Sequence, residues 1–425
     1  MEIIGKRKRF GSHLGLERIE LVCSELDNPQ NRLKFIHLAG TNGKGSTANM
    51  LARVLEESGL KVGLFTSPHL EQYQERFQIN GAFINEADLQ KFANQAETAI
   101  RRVESSHPEL GPITEFELAT AIGFLYFLDS QVDVVLLETG LGGRLDATNV
   151  VDPELVVITS LGYDHTDRLG TSLKEIAAEK GGIIKSGVPV VGGLLPASGE
   201  NVLREIALQK KASWRSTRDA AWIPLGWGWP GGSLVFPGWG PIQIGLFGAH
   251  QLQNAATALL ALDELNKLGW NISGAAVREG MSKAQLPGRM EMVSKDPFLL
   301  LDGAHNQEGL KALAQGLRHF QAELGLPAFT IVFGMLGSKE PKYMEPLFPA
   351  ARRFVFTAAD SGRLAPMAPG ILKKYAVGRG LAADSFPDLS SALKNALETA
   401  PVCVCGSLYL VGAVKRYLRT QSVIM

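Results

Sequence analysis

The stretch "HLAGTNGKGSTANML", residues 37–51, wraps glycines around a lysine. Set between a strand and a helix, such a turn aims several backbone N–H groups and the positive end of the helix dipole at one point, which suits a phosphate. Lys44 adds a mobile cation for the outer phosphates, and Ser46 or Thr47 a hydroxyl for phosphate or metal. The common nucleotide loop has its lysine directly before the hydroxyl. Here Leu38 stands at the early glycine position and Gly45 separates Lys44 from Ser46. The simpler reading is a glycine turn before a serine-capped helix.

Other segments carry groups of the right type. In "LLETGLGGRLDATN" (136–149) an apolar strand ends in Glu138, as nucleotide hydrolases present a carboxylate to magnesium; the following glycines let backbone approach a ligand, and Arg144 and Asp146 follow. In "FTSPHL" (65–70), Pro68 holds Ser67 extended at a strand's C-terminal end. In "SLGYDHTDRLG" (160–170), His165 sits between Asp164 and Asp167 and could ligate metal as a neutral imidazole, or be a solvated histidine in an acidic turn. Thr114 and Glu117 of "TEFELATA" fit a capping box that opens a helix. Asp302 ends a strand in "DGAHN", with His305 and Asn306 in the turn. The segment 172–185 reads as an exposed helix whose Lys180 is a solvated cation. Cys403 and Cys405 read as strand thiols facing opposite ways, without metal-ligand spacing.

Strand and helix patterns alternate around these groups, which argues for an α/β architecture with mainly parallel sheets. "KFIHLAG", the helix "STANMLARVLEESG" with Ala48, Leu51 and Leu55 on one face, and "KVGLFTS" make a βαβ unit with the glycine turn at its first corner. Further strands are predicted at 132–138, 155–160 and 188–191. The uncharged stretch after Asp219 holds four tryptophans in Gly/Pro-rich strands, which predicts packed β-hairpins. From Phe298 the rhythm restarts, with a helix from 307 whose apolar positions are 310, 313, 317, 320 and 324, as in a separate doubly wound domain. The boundary is expected near 284–288.

The 425 residues suit two or three domains. With 43 basic and 43 acidic residues, nothing in the totals favours nucleic acid or an anionic membrane, and small molecules are the expected partners. Three cysteines fit a reducing compartment. No secretory apolar run follows the N-terminus, and apolar stretches break well before the ~20 residues a membrane span needs. A cytoplasmic soluble protein is expected.

Taken together, the chain resembles one family, the folylpolyglutamate synthases and dihydrofolate synthases of the Mur-ligase group of ATP-dependent amide ligases. The resemblance rests on "GLERI" (15–19), "HLAGTNGKGST", "LFTSPHLEQYQERFQING", "TEFELAT", "LETGLGGRLDATNVV", "ITSLGYDHTDRLG", "IAAEKGGIIK", "GAHQLQNAATAL", "LPGRMEM", "LDGAHN", "FGMLGSKE" and "GSLYLVG", in the family's order. It implies an N-terminal P-loop ATP-binding α/β domain of the Mur-ligase central type (1–284) and a C-terminal Rossmann-like domain (285–425). ATP would phosphorylate a carboxylate, and the amine of L-glutamate would attack the acyl phosphate. The carboxylate would belong to dihydropteroate or to the glutamate tail of a reduced folate. Extension of the tail alone, or a nucleotide hydrolase or switch with a protein partner, are the alternatives.

The resemblance also implies roles. Thr41, Asn42, Gly43 and Lys44, continuing through Gly45 and Ser46, match the ATP-phosphate segment, whose short form is the family's own. Ser67, Glu138 and His165 match magnesium ligands. Lys180 matches a lysine carboxylated by carbon dioxide, whose carbamate would join them, which reverses the solvated-cation reading. Lys44, Glu138, His165 and Lys180 would thus carry the chemistry. Asn254, Arg289 and Asp302 match ATP contacts. Thr114, Glu115, Phe116 and Glu117, with Leu145, Asp146 and Ala147, match segments for the pterin-bearing substrate, and "SHLGLE" (12–17) is a third. His305 and Ser407 match positions near the incoming glutamate. A monomer is expected. His13 stands where the family often has an acidic or basic residue, and "TAADSGRLAP" keeps only an Arg and a Pro of the usual spelling.

Overall fold

The computed structural model describes residues 2–7, 15–358 and 365–420. His13 and Arg363, singled out above, lie outside them. The first sheet is built from β1 (Phe35–Ala39), β2 (Val62–Phe65), β3 (Phe77–Ile79), β4 (Ala82–Phe83), β5 (Val134–Glu138), β6 (Leu155–Ile158), β7 (Val190–Gly192) and β8 (Trp214–Ser216). Its order is β4-β3-β2-β5-β1-β6-β7-β8, with β3 antiparallel to both of its neighbours and all other pairs parallel. Strands β1, β2, β5 and β6 are buried along their whole length, which is why they read as continuous apolar runs.

The strand predicted at 132–138 begins only at Val134, and the one at 188–191 is shifted to Val190–Gly192. β8 carries no clear period and went unpredicted. The helix Lys44–Glu57 starts behind Gly43 (φ 82°) and stops at Gly59 (φ 86°). It is buried on more than the expected face, because helices Ala249–Lys267 and Gly274–Lys283 cover the side away from the sheet. Gly280 permits that approach: a Cβ there would stand 2.5 Å from the Cα of Val54.

The uncharged tryptophan-rich stretch forms an antiparallel sheet of β9 (Ile223–Gly228), β10 (Gly231–Phe236) and β11 (Gly240–Ile244). Its tryptophans pack. Trp227 stacks on His319 with ring centroids 4.0 Å apart, and the Trp239 indole N–H donates to the Leu259 carbonyl.

A third sheet gathers β12 (Glu291–Lys295), β13 (Phe298–Leu301), β14 (Phe329–Phe333), β15 (Ala351–Phe356), β16 (Ala383–Ser385) and β17 (Val402–Cys405). The order β12-β13-β17-β14-β15-β16 is parallel except for the edge strand β12, with helices on both faces. Helix Gln307–Leu324 buries Leu310, Leu313, Leu317 and Phe320 as the period predicts, but Leu324 at its end is 45% exposed. Cys403 and Cys405 share one face of β17 and pack into the same core, while Val402 and Val404 face the other. The expectation of opposed thiols is therefore corrected: residues two apart on a strand lie on one side.

Candidate active site

The glycine turn leaves the C-terminal end of β1 between the ends of β5 and β6, the edge at which open α/β sheets bind ligands. Its shape is locked from below. A Cβ at Gly40 would stand 2.0 Å from Thr159 Oγ1, so only glycine passes there. Thr159 Oγ1 and Ser160 Oγ both donate to the Asn42 carbonyl, at 2.7 and 2.8 Å. Thr41 Oγ1 donates to the Gly162 carbonyl and accepts from the Gly162 N–H. The turn thus has a set backbone before any phosphate arrives.

Lys44 Nζ donates to the Gly40 carbonyl at 2.9 Å and stands 3.8 Å from Glu138 Oε1. Glu138 is buried at the tip of β5, and its other oxygen accepts the Ser67 N–H at 3.2 Å. Burial pushes the Glu138 carboxyl up, with Lys44 opposing most strongly. His165 occupies the left-handed region (φ 50°) just before the short helix Thr166–Leu169, a conformation rare outside glycine and one that concentrates at functional sites. Desolvation lowers its imidazole, against the pull of Asp164.

The reading of residues 172–185 as an exposed helix is corrected. The helix spans Leu173–Gly181, and Ile176, Ala177 and Lys180 are buried, Lys180 to 3% exposure. Among the described residues its ammonium has no hydrogen bond or ion pair. Desolvation first, then the charge on Lys44, push it down to about 7.

The third sheet closes the site from the other side. Arg289, Asp302 and His305 face the glycine turn across a cleft of about 390 Å³, which Lys44, Ser67, Glu138, His165, Lys180 and Asn254 also line. Asp302 is buried and accepts the N–H groups of Met290 and Ala304 at 2.9 and 2.7 Å. His305 Nδ1–H donates to the Gly303 carbonyl at 2.8 Å, and burial beside Lys339 pushes the imidazole down to about 4.

Sequence reading left one cluster unassigned. Asp164 accepts from Asn306 Nδ2 at 3.0 Å and pairs with Lys339 at 3.5 Å, while Asn306 also donates to Asn42 Oδ1 at 3.0 Å. Lys339 in turn donates to the His305 carbonyl. These bonds join the glycine turn, the loop after β6 and the loops of the third sheet. The blocks "GYDHTD" and "GMLGSKE" contain these residues, but only three-dimensional contact pairs them. His250 and Gln251 also line the cleft and went unnoticed for the same reason.

The segments 114–117 and 145–147 do not line this cleft. Thr114 and Glu117 form the expected capping box, and Glu117 is also paired with Arg18 at 2.9 Å in a buried bridge. Phe116 packs on Gly140, where a Cβ would meet its ring at 2.6 Å. Asp146 and Ala147 are buried and Leu145 half-buried behind the loop that follows Glu138. Ser407 is buried at the start of helix Leu408–Thr420.

A glycine turn facing an acid-tipped strand, closed by a second Rossmann-like sheet, is the arrangement of a Mur-type ATP-dependent ligase. Residues 38–191 match the Mur ligase middle domain, and residues 288–408 the Mur ligase glutamate ligase domain. The chain is 36% identical over 422 residues to the dihydrofolate synthase/folylpolyglutamate synthase of Bacillus subtilis, covering 97% of each. It is 33% identical to the folylpolyglutamate synthase of Lacticaseibacillus casei, over 96% of this chain and 95% of that one. The structure of Mycobacterium tuberculosis folylpolyglutamate synthase complexed with ADP superposes with a TM-score of 0.89 at 29% identity, covering 98% of this chain and 96% of that one. The chain belongs to the folylpolyglutamate synthase/dihydrofolate synthase family.

Proposed function

We propose that this ligase joins L-glutamate to the carboxylate of dihydropteroate and to the glutamate tail of reduced folates. Residues 1–284 form the ATP-binding unit and 285–425 the unit that completes the ATP site and receives glutamate. The observation that carries this reading is the single cleft in which Lys44, Glu138 and Lys180 face Arg289, Asp302 and His305. A nucleotide spanning that cleft would touch both units at once.

Thr41 to Ser46 hold the phosphates of ATP, with Asn254, Arg289 and Asp302 toward the rest of the nucleotide. A carboxylate oxygen of the folate-type substrate attacks the terminal phosphorus and ADP leaves. The glutamate amine then attacks the acyl carbon of the acyl phosphate, loses a proton, and phosphate departs with the oxygen that came from the carboxylate. His305 and Ser407 position the incoming glutamate. Thr114 to Glu117 and Leu145 to Ala147 hold the pterin-bearing substrate. Asp164, Asn306 and Lys339 hold the two units together, which keeps water from the acyl phosphate.

Magnesium fits the donors present. Among the described residues no three His, Cys, Asp or Glu side chains stand close enough to form a metal cluster. A hard cation here would need a hydroxyl, phosphate oxygens and water to complete its shell. Ser67, Glu138, His165 and a carbamate on Lys180 would hold it. Such an ion would supply positive charge against the negative charge on the oxygens of the transferring phosphoryl group. Lys180, held near a pKa of about 7, keeps part of its amine unprotonated at neutrality, the form that adds carbon dioxide. A C–N bond forms between the neutral amine and the carbon of carbon dioxide and one proton leaves; with the proton the ammonium shed beforehand, two protons are lost as a buried cation becomes an anion.

No described helix is long and apolar enough to cross a membrane. A cytoplasmic monomer accords with the ligand set, all of it small molecules. Incubation with ATP, magnesium and glutamate, and with either dihydropteroate or a reduced folate monoglutamate, tests the reading by product mass. Glutamylated product from both supports it. Product from the folate alone reduces it to tail extension.

A further inference from the structure

Beneath the phosphate turn lies a buried histidine that the chemistry above does not use. His37 sits in β1, three residues before Gly40, and is wholly buried. Its Nε2 is 2.9 Å from Thr148 Oγ1, and its Nδ1 has no hydrogen-bond partner among the described residues. Thr148 Oγ1 in turn donates to Asp146 Oδ1 at 2.6 Å. The same carboxylate accepts the backbone N–H groups of Thr148, Gly140 and Leu141, at 3.1, 3.0 and 2.7 Å.

These partners settle the proton positions. Burial pushes the Asp146 carboxyl up, and the three backbone N–H groups and the hydroxyl that converge on it oppose that shift by favouring the ionised form. A hydroxyl has one hydrogen; once Thr148 gives it to Asp146, its oxygen can only accept, so His37 must carry its proton on Nε2. Burial, with Lys185 adding to it, pushes the imidazole down to about 3, so the ring stays neutral at physiological pH.

We propose that His37 and Thr148 are positioning residues for the folate-type substrate, acting through Asp146 on the loop Gly140–Leu141 and on the segment Leu145–Ala147. Neither lines the ATP cleft, although Gly140 and Leu141, whose N–H groups Asp146 accepts, do. The relay ties the strand that carries the phosphate turn to the loop that follows Glu138, and gives Asp146 one shape. If the His37 donor is lost, Thr148 is free to rotate its hydroxyl away, and Asp146 keeps only its backbone partners. The loop would then have to be ordered by the substrate itself, which weakens binding of the pterin-bearing substrate more than that of ATP, whose phosphate turn is held separately by Thr159 and Ser160. This rests on the reading of Leu145–Ala147 as a pterin-substrate segment.

The test uses the full-length enzyme and steady-state kinetics with each substrate varied in turn. His37→Leu and Thr148→Val should each raise KM for the pterin-bearing substrate roughly tenfold, the size of one charge-assisted hydrogen bond, with kcat and KM for ATP within about twofold. His37→Gln, which keeps a donor near Nε2, and Thr148→Ser, which keeps the hydroxyl, should restore most of the loss. The double variant should be no worse than either single one. Equal losses toward ATP, or no rescue by the conservative pair, would reduce both residues to packing and overturn the proposal. Nitrogen-detected NMR of His37 should show a neutral ring protonated at Nε2, and a proton at Nδ1 would contradict the relay even if a variant failed to fold. Asp146→Asn separates the two levels. If it raises the pterin-substrate KM while His37→Leu and Thr148→Val do not, the relay alone is wrong. If it too has no effect, the substrate reading of the segment falls and takes the relay with it.

Discussion

Lys44 and Glu138 stand 3.8 Å apart across the floor of the cleft, a cation from the phosphate turn against a carboxylate that burial has cut off from water. Each stabilises the charge of the other, and the transferring phosphoryl group would sit beside both. Lys44→Ala removes the cation at the turn and leaves Glu138 more readily protonated. ADP formation should fall by roughly a hundredfold or more, the scale of losing one preorganised charge at a transition state, while the far-UV spectrum stays native. Undiminished turnover would take the phosphate turn out of the mechanism.

The two glycines flanking Lys44 should separate fold from function. Gly43 has φ 82°, and a Cβ there would stand 2.3 Å from Asn254 Oδ1, so Gly43→Ala should destabilise by about 1–3 kcal/mol and displace Asn254. At Gly45 the nearest atoms to a Cβ are Leu286 Cδ2 at 3.7 Å and Glu138 Oε2 at 3.9 Å, which is ordinary contact. Gly45→Ala should keep or slightly raise the melting temperature, since alanine favours a helix by up to ~1 kcal/mol, yet weaken ATP binding by intruding on phosphate space. Calorimetry paired with ATP titration reads both; a Gly45→Ala enzyme with normal ATP affinity would move the nucleotide elsewhere.

Lys180 makes stability depend on pH. Desolvation first, and then the charge on Lys44, push the unmodified amine down to about 7 in the folded protein from the 10.5 of an ordinary lysine. Below 7 both states hold the proton, and the folded state bears the full penalty of a buried cation. Between about 7 and 10.5 the unfolded chain still holds a proton that the folded chain has shed, so stability rises with pH across that window. Lys180→Met should abolish the rise. Added bicarbonate and magnesium should raise the mass of the wild type at this residue by a carboxyl group, whereas an unmodified lysine in a fully active enzyme would count against the carbamate.

Asp164 behaves in the opposite sense. Lys339, His165 and Asn306 hold its carboxyl down to about 2 against a desolvation penalty. Its contribution is therefore present above the unfolded value near 4 and lost as pH falls through about 2. The shift corresponds to ~2 kcal/mol. Asp164→Asn should lose that amount at neutral pH and flatten the acid limb of the stability curve, and should expose the loops around Asn42 and Asn306 to proteolysis. Denaturant melts across the acid range would refute this if variant and wild type fell together.

What could be read from the sequence divides along physical lines. The glycine turn, the acid at the tip of β5 and the capping box at Thr114 were legible because strand, turn and helix lie next to one another in the chain. The burial of Lys180 was not, since only the packing of helix Leu173–Gly181 against its neighbours removes water from it; the family resemblance, not the local pattern, pointed there. The Asp164–Lys339 pair and the His37–Thr148–Asp146 relay join residues more than a hundred positions apart and left no local trace. β8 and β16, three residues each, are too short to show a period.

The most direct measurement follows one oxygen atom. With the folate carboxylate labelled with heavy oxygen, an acyl phosphate formed in the cleft and broken by glutamate must carry one labelled oxygen into the phosphate released for each amide made. Mass analysis of that phosphate should find one label per glutamate added. Unlabelled phosphate, or phosphate released without glutamylated product, would contradict the account at its centre.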